Sequence, residues 1–296
     1  MRTHALKISI LTALAMPAAM AQTAMTLDKV KVNGAITVAY RESSIPFSYL
    51  DDKAQPTGFG WEICGKIVDE VKKSTGRADL KVQTQAVTSA NRIPLLRNGT
   101  IDIECGSTTN NSERGKQVQF ATNYFYTGTR FLVKTGAAVK SLDDLKGKSV
   151  VSTTGTTNFR VIRNLNEEKK LDIDLLGAKD HAESALMVQT GRALAFAMDD
   201  ILLYGLRASA QNPADFAVVG EAIQVEPYAI MLRRDDPAFK KLVDDTIAGL
   251  VKSGEFEKLY KKWFQSPIPP KGINLNAPMS KELQDNLKNL SDKPAT

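Results

Sequence analysis

The sequence contains few of the residues that most often hold metals or build catalytic centres. Its 296 residues include only 2 histidines and 2 cysteines. A zinc site needs several histidine, cysteine or carboxylate ligands at a recognisable spacing, so we expect no bound metal. No serine–histidine–acid set, phosphate-binding glycine loop or cofactor motif stands out. We therefore also expect no cofactor and no enzymatic activity.

Long apolar runs are scarce too, and the clearest one lies at the N-terminus. Residues 8–16 form an apolar stretch that follows two basic residues and is too short to span a bilayer. Ala19 and Ala21 fit the small-x-small pattern of a cleavage site, so we expect residues 1–21 to be a signal peptide cleaved after Ala21. No cysteine follows the cut, which disfavours a lipid anchor. The sequence predicts a soluble, exported protein.

Charge of one sign is not concentrated anywhere along the chain. Lysine and arginine total 39 against 33 acidic residues, a formal charge of +6 that falls to +4 without the two basic residues of the signal peptide. Basic and acidic residues are interspersed, as in Glu167-Glu168-Lys169-Lys170. Because no basic stripe with interleaved aromatic residues occurs, we expect no nucleic-acid partner. The mild positive excess weakly favours small anionic ligands.

Strand-like and helix-like segments alternate along the chain, which predicts an α/β fold. Two runs resemble each other: each has a strand, a turn rich in hydroxyl residues, a helix and a second strand that ends in a polar group. Ligands of open α/β sheets bind beyond the carboxyl ends of the strands, so two facing runs predict a cleft. The expected strands are residues 35–40, 80–86, 101–105, 131–134, 149–152, 172–176, 193–198 and 228–233. The expected helices are residues 59–73, 89–98, 141–147, 157–170, 183–191, 199–209, two within 237–264, and 280–290.

The stretch of residues 100–114 is the most informative local pattern. A short apolar strand leads into Gly106-Ser107-Thr108-Thr109, and Arg114 follows Ser107 by seven positions. Hydroxyl groups at a strand end can receive an amino group or a carboxylate, and an arginine can clamp a carboxylate through two parallel N–H···O bonds. The pattern indicates a head-group site for an amino acid. A polar loop with a solvated arginine is the alternative.

The two cysteines lie on predicted core faces. Cys64 belongs to the apolar stripe of a helix, and Cys105 to the apolar face of a strand. An oxidising compartment permits a disulfide between them, while two unpaired buried cysteines are also common. Both possibilities stay open, because the separation of the Cα atoms decides between them.

Five segments carry a resemblance to a known family: residues 41–49, 91–99, 104–111, 178–181 and 198–200. Together they resemble the periplasmic solute-binding proteins of the polar amino-acid class, the receptors of ABC importers, and among these the glutamate/aspartate-binding type. The resemblance implies an α/β, two-lobed periplasmic-binding-protein fold of type II with two crossing hinge segments. It implies a monomer in the periplasm that delivers L-glutamate or L-aspartate to a membrane permease.

The resemblance also implies limits for the two lobes. Lobe one would comprise residues 22–126 and 228–266, and lobe two residues 131–225. The hinge crossings would be residues 127–130 and 226–227, and residues 267–296 would form a C-terminal tail on the outside. A ligand would close the lobes by a hinge motion.

The resemblance assigns residues to each charged group of the amino-acid head group. Arg114 and backbone N–H groups near Thr157, at a helix start, would hold the α-carboxylate. Asp199 would accept the α-ammonium, together with Ser107 and Thr109. Ordinary helix capping is the competing interpretation of Thr157 and Asp199.

The resemblance assigns the side-chain carboxylate of the ligand to Arg41, Ser89, Arg92 and His181. Three arginines against Asp199 leave two positive charges for two carboxylates. An amide side chain would leave Arg41 and Arg92 poorly paired, so we expect acidic amino acids to be preferred over glutamine.

Three features keep alternatives open. Asp200 competes with Asp199 for the ammonium. Many relatives open the first-lobe helix with glycine, an aromatic residue and aspartate, whereas residues 58–62 lack that aspartate. A neutral or basic amino acid, or another polar one such as glutamine, therefore stays an alternative ligand. The same fold resembles some secreted dehydratases that act on cyclic acids, for which Glu42 is the nearby acid.

Overall fold

Strands and helices alternate along the chain, as the sequence predicts. The computed structural model describes residues 25–295, so the expected signal peptide lies outside the described residues. The strands are β1 (Ala35–Tyr40), β2 (Ser43–Ser44), β3 (Ser48–Leu50), β4 (Pro56–Thr57), β5 (Lys81–Ala86), β6 (Ile103–Glu104), β7 (Gln119–Lys134), β8 (Ser149–Thr153), β9 (Asp174–Ala178), β10 (Ala195–Asp199), β11 (Phe216–Val219) and β12 (Val225–Leu232). The helices are α1 (Thr26–Asn33), α2 (Phe59–Thr75), α3 (Arg92–Arg97), α4 (Ser112–Gly115), α5 (Thr157–Lys169), α6 (His181–Gln189), α7 (Asp200–Ser209), α8 (Pro237–Lys252), α9 (Glu255–Phe264) and α10 (Lys281–Asn289).

The main sheet consists of two parallel strand groups joined by two antiparallel strands. Its order is β5-β1-β6-β12-β7-β10-β8-β9, with β11 paired to β7. We call β1, β5 and β6 the first strand group and β8, β9 and β10 the second. The 16-residue strand β7 pairs with β12 and then with β10, so it passes from one group to the other. Polar side chains at the ends of both groups can therefore face one another.

Aromatic side chains of the core pack the turn between β2 and β3 against β7 and β12. Phe47, in the turn between β2 and β3, lies 4.9 Å from the ring of Phe125 and 5.1 Å from that of Tyr228, edge to face. Such aromatic pairs add to the stability that burial supplies. The largest hydrophobic cluster contains Ile103 of the first group and Phe196 of the second, so the two halves are in contact.

Some elements differ from the sequence expectation. β7 begins at Gln119 rather than at residue 131. The helix expected at residues 141–147 is a single 3-10 turn, because the carboxylate of Asp144 accepts the N–H groups of Lys140 and Ser141 and closes a tight loop. None of the helices in residues 25–295 is long and apolar enough to cross a membrane.

The C-terminal segment packs on β7 and on the loop that follows β6. The side-chain amide of Asn286 donates to the carbonyl of Asn123 at 2.7 Å. Asn110 donates its side-chain N–H to the carbonyl of Asp292 at 2.7 Å, and its own carbonyl accepts the N–H of Ala295 at 2.9 Å. These bonds hold residues 292–295 against the loop that contains Ser107.

A disulfide joins Cys64 of α2 to Cys105, the residue after β6. Their Cα atoms are 5.9 Å apart, within the range for a disulfide. Cys105 directly precedes Gly106 and Ser107, so the bridge fixes the start of that loop to a helix.

Replacing Cys64 and Cys105 together by alanine is expected to lower the free energy of unfolding by about 2–4 kcal/mol, because the bridge restricts the unfolded chain over a long loop. Urea denaturation followed by circular dichroism measures the change. The wild type in reductant is the control and should match the variant. An unchanged denaturation midpoint would contradict the prediction.

Candidate ligand-binding site

The residues predicted for the site converge where the two strand groups face each other. All nine are at most 8 % exposed. Eight of them line a small cavity between the two strand groups. The lining residues are Ser89, Arg92, Ser107, Thr109, Arg114, Thr156, Thr157, Asn158, His181, Met198, Asp199 and Leu202. Arg41 lies directly behind Ser89, to which its Nη2 donates at 2.9 Å.

One end of the cavity is built from two buried guanidinium groups. Nη2 of Arg41 also lies 3.4 Å from Nε2 of His181. Nη1 of Arg92 lies 3.9 Å from Oε1 of Glu104. Within the described part of the chain, Nη1 of Arg41 and both Nε and Nη1 of Arg92 have no hydrogen-bond acceptor. Buried donors without an acceptor are costly, so this end is suited to receive an anion.

Burial lowers the pKa of both arginines at this end of the cavity. It lowers the pKa of Arg41 to about 9, and the positive charge of Arg92 adds to the effect. It also lowers the pKa of Arg92, against the opposing charge of Glu104. Arg41 stays protonated at neutral pH because its pKa remains above 7. Arginine side chains are effectively always protonated in proteins, so Arg92 carries its charge as well.

His181 is neutral and has a defined tautomer. Arginine has only donors, so Nε2 of His181 accepts from Arg41 and Nδ1 carries the proton. Nδ1 then donates to Oγ1 of Thr153 at 2.8 Å, and Thr153 donates to Ser184 at 2.9 Å. Burial and the charges of Arg41 and Arg92 hold the pKa of His181 well below its usual value of 6.5.

The other end of the cavity is built around Arg114. The carboxamide oxygen of Asn111 accepts the N–H of Arg114 at 2.9 Å and caps α4, which sets the direction of the arginine. Nη1 of Arg114 donates to the carbonyl of Thr109 at 3.0 Å, and Nη2 to that of Gly155 at 3.1 Å. Burial and the charge of Arg92 lower its pKa to about 10, so it is charged at neutral pH.

Asp199 and Thr157 complete this second end. The carboxylate of Asp199 makes no capping bond to α7 and instead accepts Nδ2–H of Asn158 at 2.7 Å and the hydroxyl of Tyr228. Burial and the carboxylate of Glu226 raise the pKa of Asp199. A ligand ammonium would stabilise its charged form.

Neither Thr157 nor Asp199 caps a helix with its side chain. Thr156, not Thr157, caps α5 by accepting the N–H of Phe159 at 3.1 Å. Asp200 accepts the hydroxyl of Thr127 at 2.6 Å and is not among the cavity residues. Thr157 and Asp199 are thus the members of each pair that line the cavity.

Several residues of this region escaped sequence reasoning: Glu104, Asn158, Glu226 and Tyr228. The charge tally of three arginines against Asp199 was therefore incomplete, since Glu104 and Glu226 are buried carboxylates at the same site. An acid in the short apolar strand that ends at Cys105 is the signal that could have pointed to Glu104. Asn158, Glu226 and Tyr228 are ordinary helix and strand residues without such a signal.

The two halves of the protein touch closely around the cavity. Thr109 and Thr157 hydroxyl oxygens are 3.3 Å apart. A Cβ added at Gly155 would lie 2.5 Å from the Cα of Ala90, and one at Gly205 would lie 2.6 Å from the carbonyl oxygen of Ile45. The glycines allow this approach, so the structure has the cavity enclosed.

The fold and the site together define a two-lobed binding protein with an enclosed, charged cleft for a small molecule. Residues 36–266 match the sequence profile of the bacterial extracellular solute-binding proteins, family 3. The chain belongs to this family, and it is a solute-binding protein rather than an enzyme, as the sequence predicted. The family is extracellular, which agrees with export.

Known relatives agree with this membership. The chain is 51% identical to the L-glutamate/L-aspartate-binding protein of Pseudomonas aeruginosa, over 91% of this chain and 90% of the relative. It is 49% identical to the glutamate/aspartate import solute-binding protein of Escherichia coli, over 90% and 89%.

Solved structures support the fold. An ancestral arginine-binding protein bound to glutamine is similar with a TM-score of 0.71 and 26% identity, covering 78% of this chain and 98% of that one. The cysteine-binding protein of Campylobacter jejuni has a TM-score of 0.71 and 25% identity, covering 81% and 93%. The two-lobed α/β fold class and the resemblance to polar amino-acid receptors are thereby confirmed.

The buried neutral His181 predicts a pH dependence of stability. The unfolded chain takes up a proton near pH 6.5 and the folded protein does not, so the free energy of unfolding falls as the pH drops below 6.5. The loss attributable to His181 is about 1.4 kcal/mol per pH unit.

His181→Asn, which keeps a side-chain donor, should lack this dependence. Urea unfolding of the ligand-free wild type and variant at pH 7.5 and 5.5 measures it, and the difference between the two proteins should change by about 1.4 kcal/mol. Identical pH dependence in both proteins would show that His181 is not held neutral.

Proposed function

We propose that the protein captures L-glutamate or L-aspartate in the enclosed cleft and delivers it to the permease of an ABC importer. The observation that carries the proposal is the pair of buried, incompletely bonded guanidinium groups of Arg41 and Arg92 at one end of the cavity. A second charged group, Arg114 with Asp199, lies at the other end. The names of the relatives that are 49% and 51% identical support the same ligands.

The chemistry of the ligand fits the two ends. Arg114 would hold the α-carboxylate with the N–H groups at the start of α5, where free donors and partial positive charge favour an anion. Asp199 would accept the ammonium with help from Ser107 and Thr109. Arg41, Arg92, Ser89 and His181 would hold the side-chain carboxylate. Neutral His181 would donate to it from Nε2 after a change of tautomer, in which Nδ1 accepts the hydroxyl of Thr153.

The setting of the protein follows from the same proposal. We place the mature protein in the periplasm as a monomer, cut after Ala21, with no nucleic-acid partner. We keep the lobe limits of residues 22–126 with 228–266 and residues 131–225, with residues 127–130 and 226–227 as hinge crossings. β7 and β12 pair Gly128 with Val225 in that region, which is consistent with a hinge built from adjacent strands.

Glutamine is the second candidate ligand. A glutamine-binding protein of Bacillus subtilis is 29% identical over 81% of this chain. Glutamine would leave the guanidinium groups of Arg41 and Arg92 without an anionic partner, and buried unpaired charges are costly. The dehydratase alternative is weaker still, since Glu42 is exposed and lies outside the cavity residues.

Isothermal titration with L-glutamate, L-aspartate and L-glutamine tests the ligand class. Arg92→Gln should weaken acidic ligands by at least about 30-fold, because truncating one partner of a buried charge pair costs about 2–5 kcal/mol. Glutamine should bind both proteins weakly.

Arg97→Gln is the matched control, because Arg97 is an exposed arginine on the same helix and is not among the cavity residues. It should bind glutamate like the wild type. Equal wild-type affinities for glutamate and glutamine would refute the proposed role of the two arginines.

Closure of the lobes can be tested away from the ligand contacts. Gly205→Ala improves helix propensity in α7 by about 1 kcal/mol, yet its Cβ would collide with the carbonyl oxygen of Ile45 when the halves meet. We expect glutamate affinity to fall at least about tenfold, because the alanine penalises only the closed form.

The control for closure is Gly65→Ala in the interior of α2, where an added Cβ has no atom within 4 Å. It should keep full affinity in the same titration. If Gly205→Ala also binds like the wild type, contact of the halves at this point is not required for capture.

A further inference from the structure

A buried acid lies behind the two arginines of the cavity. Glu104 is 0 % exposed and pairs through β6 with Ala39 and Met231. One of its carboxylate oxygens accepts the hydroxyl of Thr108, and the other lies 3.9 Å from Nη1 of Arg92. Glu104 is not among the residues that line the cavity.

The backbone brings Glu104 close to Arg41 as well. A Cβ added at Gly106 would collide with the carboxylate of Glu104 and would lie 3.0 Å from Cγ of Arg41. The absence of a side chain at Gly106 therefore lets the carboxylate and the stem of Arg41 share one space. The charge of Glu104 acts on Arg41 and on Arg92.

We propose that Glu104 is the resident counter-ion of Arg41 and Arg92, and that it matches this end of the cavity to a ligand side chain carrying a single negative charge. The inference rests on the proposed function. Two guanidinium groups and one carboxylate leave one positive charge, since His181 is neutral. A carboxylate side chain cancels that charge, an amide leaves it unpaired, and a dianionic side chain adds an uncompensated negative charge.

Other ionisable groups near this end do not change the balance. Tyr124 donates its hydroxyl to the carbonyl of Gly106, and burial raises its pKa well above 10, so it is neutral. Tyr228 donates to Asp199 and is neutral for the same reason. The charge of Asp180 also acts on Arg41, but Asp180 is half-buried at the start of α6, where it accepts the N–H of Glu183 at 2.9 Å and solvent screens it.

The test compares two ligands of similar length, L-glutamate and O-phospho-L-serine, by isothermal titration at pH 7.5. A phosphate ester carries about two negative charges at this pH. The wild type should prefer glutamate, and Glu104→Gln should shift the ratio of the two affinities at least tenfold toward phosphoserine. Glu104→Asp keeps the charge and should keep the wild-type ratio within about threefold.

A purely structural role of Glu104 predicts a different result. A disturbed pocket would weaken both ligands together and leave their ratio unchanged in Glu104→Gln. A wild type that binds glutamate, combined with that unchanged ratio, would overturn the inference and leave the proposed function standing. A wild type that binds neither ligand would overturn both.

A second measurement needs no variant. The phosphate group gains its second charge with a pKa near 6, whereas the carboxylate of glutamate is already charged. In the wild type, the affinity for phosphoserine relative to glutamate should fall at least threefold between pH 5.5 and 7.5. The ratio cancels changes in the charge of the protein that affect both ligands alike. A constant or rising ratio would overturn the proposed charge match.

Discussion

The structure depends on holding charged guanidinium groups away from water. Arg41 and Arg92 are 1 % and 2 % exposed, and Arg114 is 8 % exposed. Removing such charges from solvent is costly unless hydrogen bonds and opposite charges replace the lost hydration. Each neighbouring element supplies part of that replacement: the hydroxyl of Ser89, the carboxylate of Glu104, and the carbonyls of Thr109 and Gly155. The hydrogen bonds and the opposite charge at the site therefore offset the lost hydration of the three buried arginines.

A disulfide and a buried aromatic side chain hold the groups around these arginines in place. The Cys64–Cys105 bridge and the buried Phe47 fix the two loops that follow β6 and β2, and both loops lie beside the cavity. The second half approaches through positions without side chains, Gly155 and Gly205. Because Ala90 and Ile45 lie so close to these two glycines, a side chain at either position would oppose the enclosure on which the low-dielectric site depends.

Sequence reasoning reached the alternation of strands and helices and, through the resemblance, the residues that meet in the cavity. Sequence reasoning failed where contacts between distant residues decide the local structure or the composition of the site. Residues 119–130 contain polar residues such as Asn123, which bonds to the C-terminal segment, so their strand pattern is weak. Asp144 turned an expected helix into a tight loop. Glu104 was visible as an acid in an apolar strand, but its partner Arg92 comes from another element, and only the fold brings the two together.

The two ends of the cavity differ in whether their arginine donors already have hydrogen-bond acceptors in the protein. Both terminal nitrogens of Arg114 already donate to carbonyls of the protein, one in each half. A ligand carboxylate bound there would share or replace existing bonds, so it would add few new ones. In contrast, Nη1 of Arg41 and both Nε and Nη1 of Arg92 have no acceptor among residues 25–295. An anion at that end adds bonds without breaking any at those donors. In the proposed binding mode, a side-chain carboxylate would therefore gain more new hydrogen bonds than the α-carboxylate, and an acid would be favoured over an amide at that end.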